Sequence, residues 1–123
     1  MLLERSILNI ADNSGATKVM LFAVNGKNNR QSVRVGDVVM GSVKKATPNG
    51  KIAKGRKVKV LIVRTRRKFK RSDGSSIRFS DNAGVVVGAS NEPVGTRIFG
   101  PVARELKEDS RYNKVVSLAE EVL

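Results

Sequence analysis

The sequence predicts a mainly β protein: a barrel body followed by a small helical annex. Three observations carry this reading. First, apolar residues come in short runs cut by Gly, Asn, Asp and Pro, which is the pattern of strands and turns. Second, the stretch from Lys18 to Asn25 is apolar on both faces, with Val19, Leu21 and Ala23 on one and Met20, Phe22 and Val24 on the other. Burial on two sides suits a strand in a closed or heavily covered sheet better than one in an open sheet. Third, the texture changes after Pro93, where strand-like alternation gives way to a Gly-bracketed segment and then to helical spacing. A chain of 123 residues with 40% hydrophobic content fits one domain with its own core, with the barrel over about residues 1–100 and the helical part over about 101–123.

Each element follows in order. Ile7 to Ile10 is the first strand, ended by Asp12-Asn13-Ser14-Gly15. The two-faced segment Lys18 to Asn25 is the second; Asn25-Gly26 opens a turn and Lys27 to Arg34 is polar loop. Val35-Gly36-Asp37 leads into a third strand, Val38 to Lys44. Thr47-Pro48-Asn49-Gly50 is a strong turn signal, because Pro presets one φ and Asn-Gly accepts positive φ. Val58 to Val63 is the fourth and most apolar strand, and Ile77 to Phe79 and Ala83 to Val87 complete the sheet. Phe22 and Phe79 are expected in the core from their strand context. Gly95 to Pro101 reads as a loop, either a rigid exposed display of Arg97 or a plain connector. Val102 to Leu106 reads as a short helix. Ser110 caps a second, with Tyr112, Val115, Val116 and Ala119 on one face.

Charge is the strongest local signal. Lys and Arg total 24 against 11 Asp and Glu, a formal +13, and a compact domain with that imbalance calls for a polyanionic partner. Nucleic acid is favoured over an anionic membrane, since no apolar run approaches a span and no long basic amphipathic helix is visible. The start, Met1-Leu2-Leu3-Glu4-Arg5, resembles neither a signal nor a transit peptide. The excess is concentrated in Lys51, Lys54, Arg56, Lys57, Lys59, Arg64, Arg66, Arg67, Lys68, Lys70 and Arg71, with no acid between Lys51 and Ser72. Beyond Val63 this run keeps almost no apolar residue except Phe69, and Ser72-Asp73-Gly74-Ser75 turns it back. It reads as a basic hairpin projecting from the barrel and clamping phosphates, Arg through paired hydrogen bonds. A single Lys or two would fit mere protection of an edge strand; eleven cations without an acid do not.

Aromatics are few, which favours recognition of shape and phosphate in structured RNA over base-by-base reading. Phe69 either stacks on a base or covers the hairpin. Catalysis has little to work with. Cys and His are absent, removing the thiol nucleophile, the commonest general base and any zinc or disulfide framework. Gly50 to Lys57 approaches a P-loop in spacing, but Arg56 stands where Lys is needed and Lys57 where Ser or Thr would hold magnesium. No enzyme activity, cofactor, metal or small-molecule substrate is expected. The competing binding-class reading is a free-standing single-strand RNA binder on an OB-like barrel.

Several stretches occur in order that together carry a resemblance. They are Asn9 to Ala16, Val63-Arg64-Thr65, Asp73-Gly74-Ser75, Ile77-Arg78-Phe79, Asn82-Ala83, Gly95 to Val102, Arg104-Glu105-Leu106 and Ser117-Leu118-Ala119. The chain closely resembles, from end to end, the L-fourteen family of universal large-subunit ribosomal proteins, bacterial or organellar type. The family signature is matched by Leu61-Ile62-Val63, Asp73-Gly74, Phe79, Asn82 and Val85-Val86; Val60 stands where the family often has a small residue. The resemblance implies a five-stranded, OB/SH3-like barrel with a protruding hairpin and a helical C-terminal part. It implies a ribosomal location, cytoplasmic or organellar, and binding to large-subunit rRNA at the subunit interface, to which Arg78 is added as a contact. It further implies intersubunit bridges with small-subunit rRNA, neighbours of the L-three and L-nineteen families, and a docking surface for the ribosome-silencing factor at Thr96, Arg97 and Lys114.

Overall fold

A computed structural model describes residues 7–23, 34–48, 50–90, 92–108 and 112–123. The expected turn at Asn25-Gly26, the loop that follows it, Asn49 and the Ser110 cap lie outside these residues. Five strands close into a barrel in the order β1 (Ile7–Ile10), β2 (Ala16–Ala23), β3 (Val38–Ala46), β4 (Lys57–Arg64) and β7 (Ala83–Val87). Neighbours are antiparallel except at the closing seam, where β1 and β7 run parallel with Asn9 opposite Ala83. Closure leaves no free edge among these five strands, the feature that suits a barrel to a chain with so many β-branched residues.

The period-two alternation decides what each side chain meets. Leu8, Val19, Leu21, Val39, Val43, Val58, Val60, Ile62 and Val86 fill the barrel interior. The interior is narrow: a Cβ on Gly84 would stand 2.5 Å from Val60 Cγ1 and 2.9 Å from Leu8 Cδ2, so only glycine fits that rung. The opposite faces of β4 and β7 are apolar too. Leu61, Val63, Val85 and Val87 are buried outside the barrel, beneath Ile98, Val102, Leu106, Tyr112 and Val115. The C-terminal annex therefore covers one outer wall of the barrel, and this explains why β4 is the most apolar strand.

The annex and the hairpin differ from expectation in detail. Ile77 to Phe79 does not join the barrel sheet. Instead β6 (Ser76–Ile77) pairs with β5 (Phe69–Lys70) in a separate two-stranded sheet, while Phe79 donates its N–H to the Thr65 carbonyl. The expected loop at Gly95 to Pro101 contains most of a strand, β8 (Ile98–Val102), which pairs in parallel with β9 (Ala119–Val122). Val102 belongs to that strand, and the helical turn after it is a 3-10 helix, Arg104–Glu108. The second helix, α1 (Asn113–Leu118), buries Val115 and stops at Ala119, whose φ −73° and ψ 145° start β9. Phe79 is core as expected, but Phe22 is 39% exposed, because no apolar layer is described over the outer face of β2 at that position.

Candidate nucleic-acid interface

The basic run that is continuous in sequence is divided in space by β4. Eight residues of strand set its two halves ~23 Å apart. At the near end Lys51, Lys54, Arg56 and Lys57 are exposed on the β3–β4 connection and the first residue of β4. Lys57 Nζ lies 5.9 Å from the centre of the exposed Phe22 ring, a cation–π arrangement that covers this aromatic. Lys59, two residues on and half-buried, donates to the Ala89 carbonyl at 3.3 Å. At the far end Arg66, Arg67, Lys68, Lys70 and Arg78 are exposed around the β5–β6 hairpin. None of these cations is ion-paired among the described residues.

The hairpin end is shaped by hydrogen bonds that need no cation. Arg66 N–H donates to Asn82 Oδ1 at 2.8 Å, and Thr65 Oγ1 donates to the Arg67 carbonyl at 3.2 Å. In the turn, Arg71 N–H donates to the Ser75 carbonyl and Gly74, at φ 90°, donates back to that of Arg71. The Asp73 carboxylate accepts from both the N–H and the hydroxyl of Ser75. These bonds, the hydroxyl first, hold its pKa below the usual 3.8.

Arg64 and Arg71 behave differently from the other members of the run. The Arg64 side chain is largely buried, its Nε and Nη2 donating to the two oxygens of Asp81 at 2.7 and 3.2 Å. Its Nη1 donates to the carbonyls of Phe99 and Pro101 at 3.0 and 2.9 Å. Both carbonyls turn toward one nitrogen because Gly100 between them has φ 77°, and a Cβ there would meet Arg64 Nη1 at 3.0 Å. The bond from Arg64 is the leading reason that the Asp81 pKa is lowered. Arg71 Nη2 donates to Glu105 Oε1 at 3.2 Å and to the Leu123 carbonyl; its Nε sits 2.9 Å from Glu105 Oε2 but out of line for a hydrogen bond. Both arginines thus tie the end of β4 and the hairpin to the annex.

Thr96, Arg97 and Lys114 are exposed on that annex side, the first two just before β8 and Lys114 on α1, which packs against β8. Thr96 and Arg97 are held by a residue not singled out as part of a site, Asn13. Its Oδ1 accepts the Thr96 and Arg97 N–H groups at 2.8 and 3.2 Å, and its Nδ2 donates to Thr96 Oγ1 at 2.9 Å. Arg97 lies over the exposed Phe99 ring, 5.7 Å from its centre. Asn13 is in turn anchored through Asp12, which is buried and accepts from Ser14 N–H, Ser14 Oγ and Val86 N–H at 3.1, 2.6 and 3.0 Å. Burial raises the Asp12 pKa, and these hydrogen bonds only partly offset it. The signal for Asn13 was in the sequence, in an Asp-Asn-Ser-Gly turn rich in side chains that bond to backbone.

A closed β-barrel with exposed cations at two ends, none of them ion-paired among the described residues, has the make-up of the small RNA-binding barrel proteins. Residues 1–123, the whole chain, match the family described as ribosomal protein L14p/L23e, and the chain belongs to that family. Membership makes it a structural, non-enzymatic constituent of the large ribosomal subunit, bound to rRNA and beside other ribosomal proteins, in a cytoplasmic or organellar ribosome.

Proposed function

We propose that the protein uses two faces in the ribosome. The cationic ends, Lys51, Lys54, Arg56, Lys57 and Lys59 at one and Arg66, Arg67, Lys68, Lys70 and Arg78 at the other, contact large-subunit rRNA phosphates. Arg64 and Arg71 serve this interface by positioning, since their donors are directed at Asp81, Glu105 and main-chain carbonyls. The second face, Thr96, Arg97 and Lys114, meets small-subunit rRNA in intersubunit bridges and docks the ribosome-silencing factor. Members of the L-three and L-nineteen families are its neighbours in the large subunit. One observation carries the reading: the exposed cations at both ends have no ion-pair partner among the described residues, a surface suited to releasing counterions on a polyanion.

The test compares two variants of the full chain. Changing Arg66, Arg67, Lys68 and Lys70 to Gln lowers affinity for large-subunit rRNA and flattens log Kd against log salt by roughly 0.7–0.9 for each phosphate that the variant leaves unneutralised. Changing Arg97 or Lys114 to Glu reduces silencing-factor binding more than incorporation into the large subunit. An unchanged salt slope refutes the first face; equal loss of both activities in the second variant makes that face structural.

A further inference from the structure

A recess of about 480 Å³ opens at the hairpin end, walled by Arg34, Thr65, Arg67, Phe69, Lys70 and Glu105. Of the described recesses that lie among the exposed cations, this one has an aromatic wall. Phe69 is only half-buried, sits in β5 opposite Ile77, and lines the recess. The single acid on the wall, Glu105, is already engaged by Arg71. Arg34, Arg67 and Lys70 are exposed at the mouth, with Lys68 beside them.

We propose that this recess receives one unstacked nucleotide of the rRNA, its base against Phe69 and its flanking phosphates on Arg67, Lys68 and Lys70. The volume suits a single nucleotide rather than a helix, and an aromatic face bordered by cations is the arrangement that captures an extruded base. A protein partner fits less well, because three or more like charges ring the mouth and the one acid inside is already paired. Thr65 is buried with its hydroxyl donated to the Arg67 carbonyl, so the floor offers shape more than hydrogen bonds, and base identity is selected weakly. The inference rests on the hairpin end being an rRNA face and names what that face holds.

The experiment binds the full chain to transcribed large-subunit rRNA and maps zero-length ultraviolet crosslinks by mass spectrometry. The expected result is a crosslink from Phe69 to one base. Phe69→Leu, which keeps apolar bulk without a π face, lowers affinity roughly 5- to 150-fold with the salt slope unchanged, and Phe69→Tyr restores it. Wild-type affinity in a folded Phe69→Leu protein, or a Phe69 crosslink in assembled subunits to a protein instead of a base, overturns the proposal. If Phe69→Leu fails to fold, the crosslink and the Tyr variant still decide it. Loss of affinity on neutralising Arg66 to Lys70 but not on Phe69→Leu removes the recess alone; loss in neither removes the rRNA face as well.

Discussion

Arg64→Met separates a buried positioning arginine from a phosphate ligand. The substitution removes donors from both Asp81 oxygens and from the Phe99 and Pro101 carbonyls while keeping an apolar stem of similar length. Breaking a buried pair from one side costs about 3–5 kcal/mol, and the 30% exposure of the Asp81 side chain lets water recover part of that, leaving a loss of about 3 kcal/mol. With an unfolding entropy of ~2.1 cal/mol/K per residue, the melting temperature falls by roughly 12 °C. Arg64→Lys keeps the charge but not the fork and loses about 1–2 kcal/mol. Adding Asp81→Asn to Arg64→Met removes the stranded carboxylate and recovers part of the loss. The assay is urea and thermal unfolding followed by circular dichroism, run beside rRNA binding over a salt series. A folded Arg64→Met protein with wild-type stability and a salt slope reduced by about one would refute the positioning role and make Arg64 a phosphate ligand.

Two further outcomes are expected. Asn13→Ala leaves rRNA affinity unchanged and costs at most about 1 kcal/mol, since the bonds it removes are exposed, but hydrogen exchange at the Thr96 and Arg97 amides accelerates and silencing-factor binding falls with it. Asp81 titrates below 3.8 when folded, so its contribution is complete above 3.8 and is lost as pH falls toward the lower folded value; Asp81→Asn is therefore less stable than wild type at pH 7, and in pH-dependent unfolding the gap closes below 3.8.

The barrel was legible because its strands obey a period of two with turn residues between them. Ile7–Ile10 and Ala83–Val87 match their expected bounds, β3 runs two residues past its expected end, and β4 extends its expected span by one residue at each end. What periodicity does not reveal is which second layer makes a strand apolar on its outer face. In β4 the cover is the annex over Leu61 and Val63; in β2 only the Lys57 ammonium is described over Phe22, and the same pattern leaves an exposed ring. The β8–β9 pair was hidden for a different reason. Gly100 and Pro101 are poor strand residues, and Ala119-Glu120-Glu121 has helical propensity, yet parallel pairing over the buried Ile98 and Val102 overrides both. Among the candidate cations, residue type marked the run but did not separate Arg64 from Arg66. That difference comes from Asp81, 17 residues away, whose approach is set by the register of β4 on β7.

The division of the basic run explains how one excess of charge serves two purposes. A hairpin made only of exposed cations would repel itself and cost ordering entropy at the moment of binding. Here two arginines are turned inward, Arg64 at the hairpin's base against Asp81 and the β8 carbonyls, and Arg71 at its turn against Glu105. Each engages one of the few acids in the fold in a contact between elements instead of leaving it to neutralise the surface. The orientation of β5 and β6 toward the annex is then set by the protein's own contacts. Arg67, Lys68 and Lys70 have no ion-pair partner among the described residues and stand around the Phe69 recess, so on the proposed reading a phosphate backbone would meet them already in place.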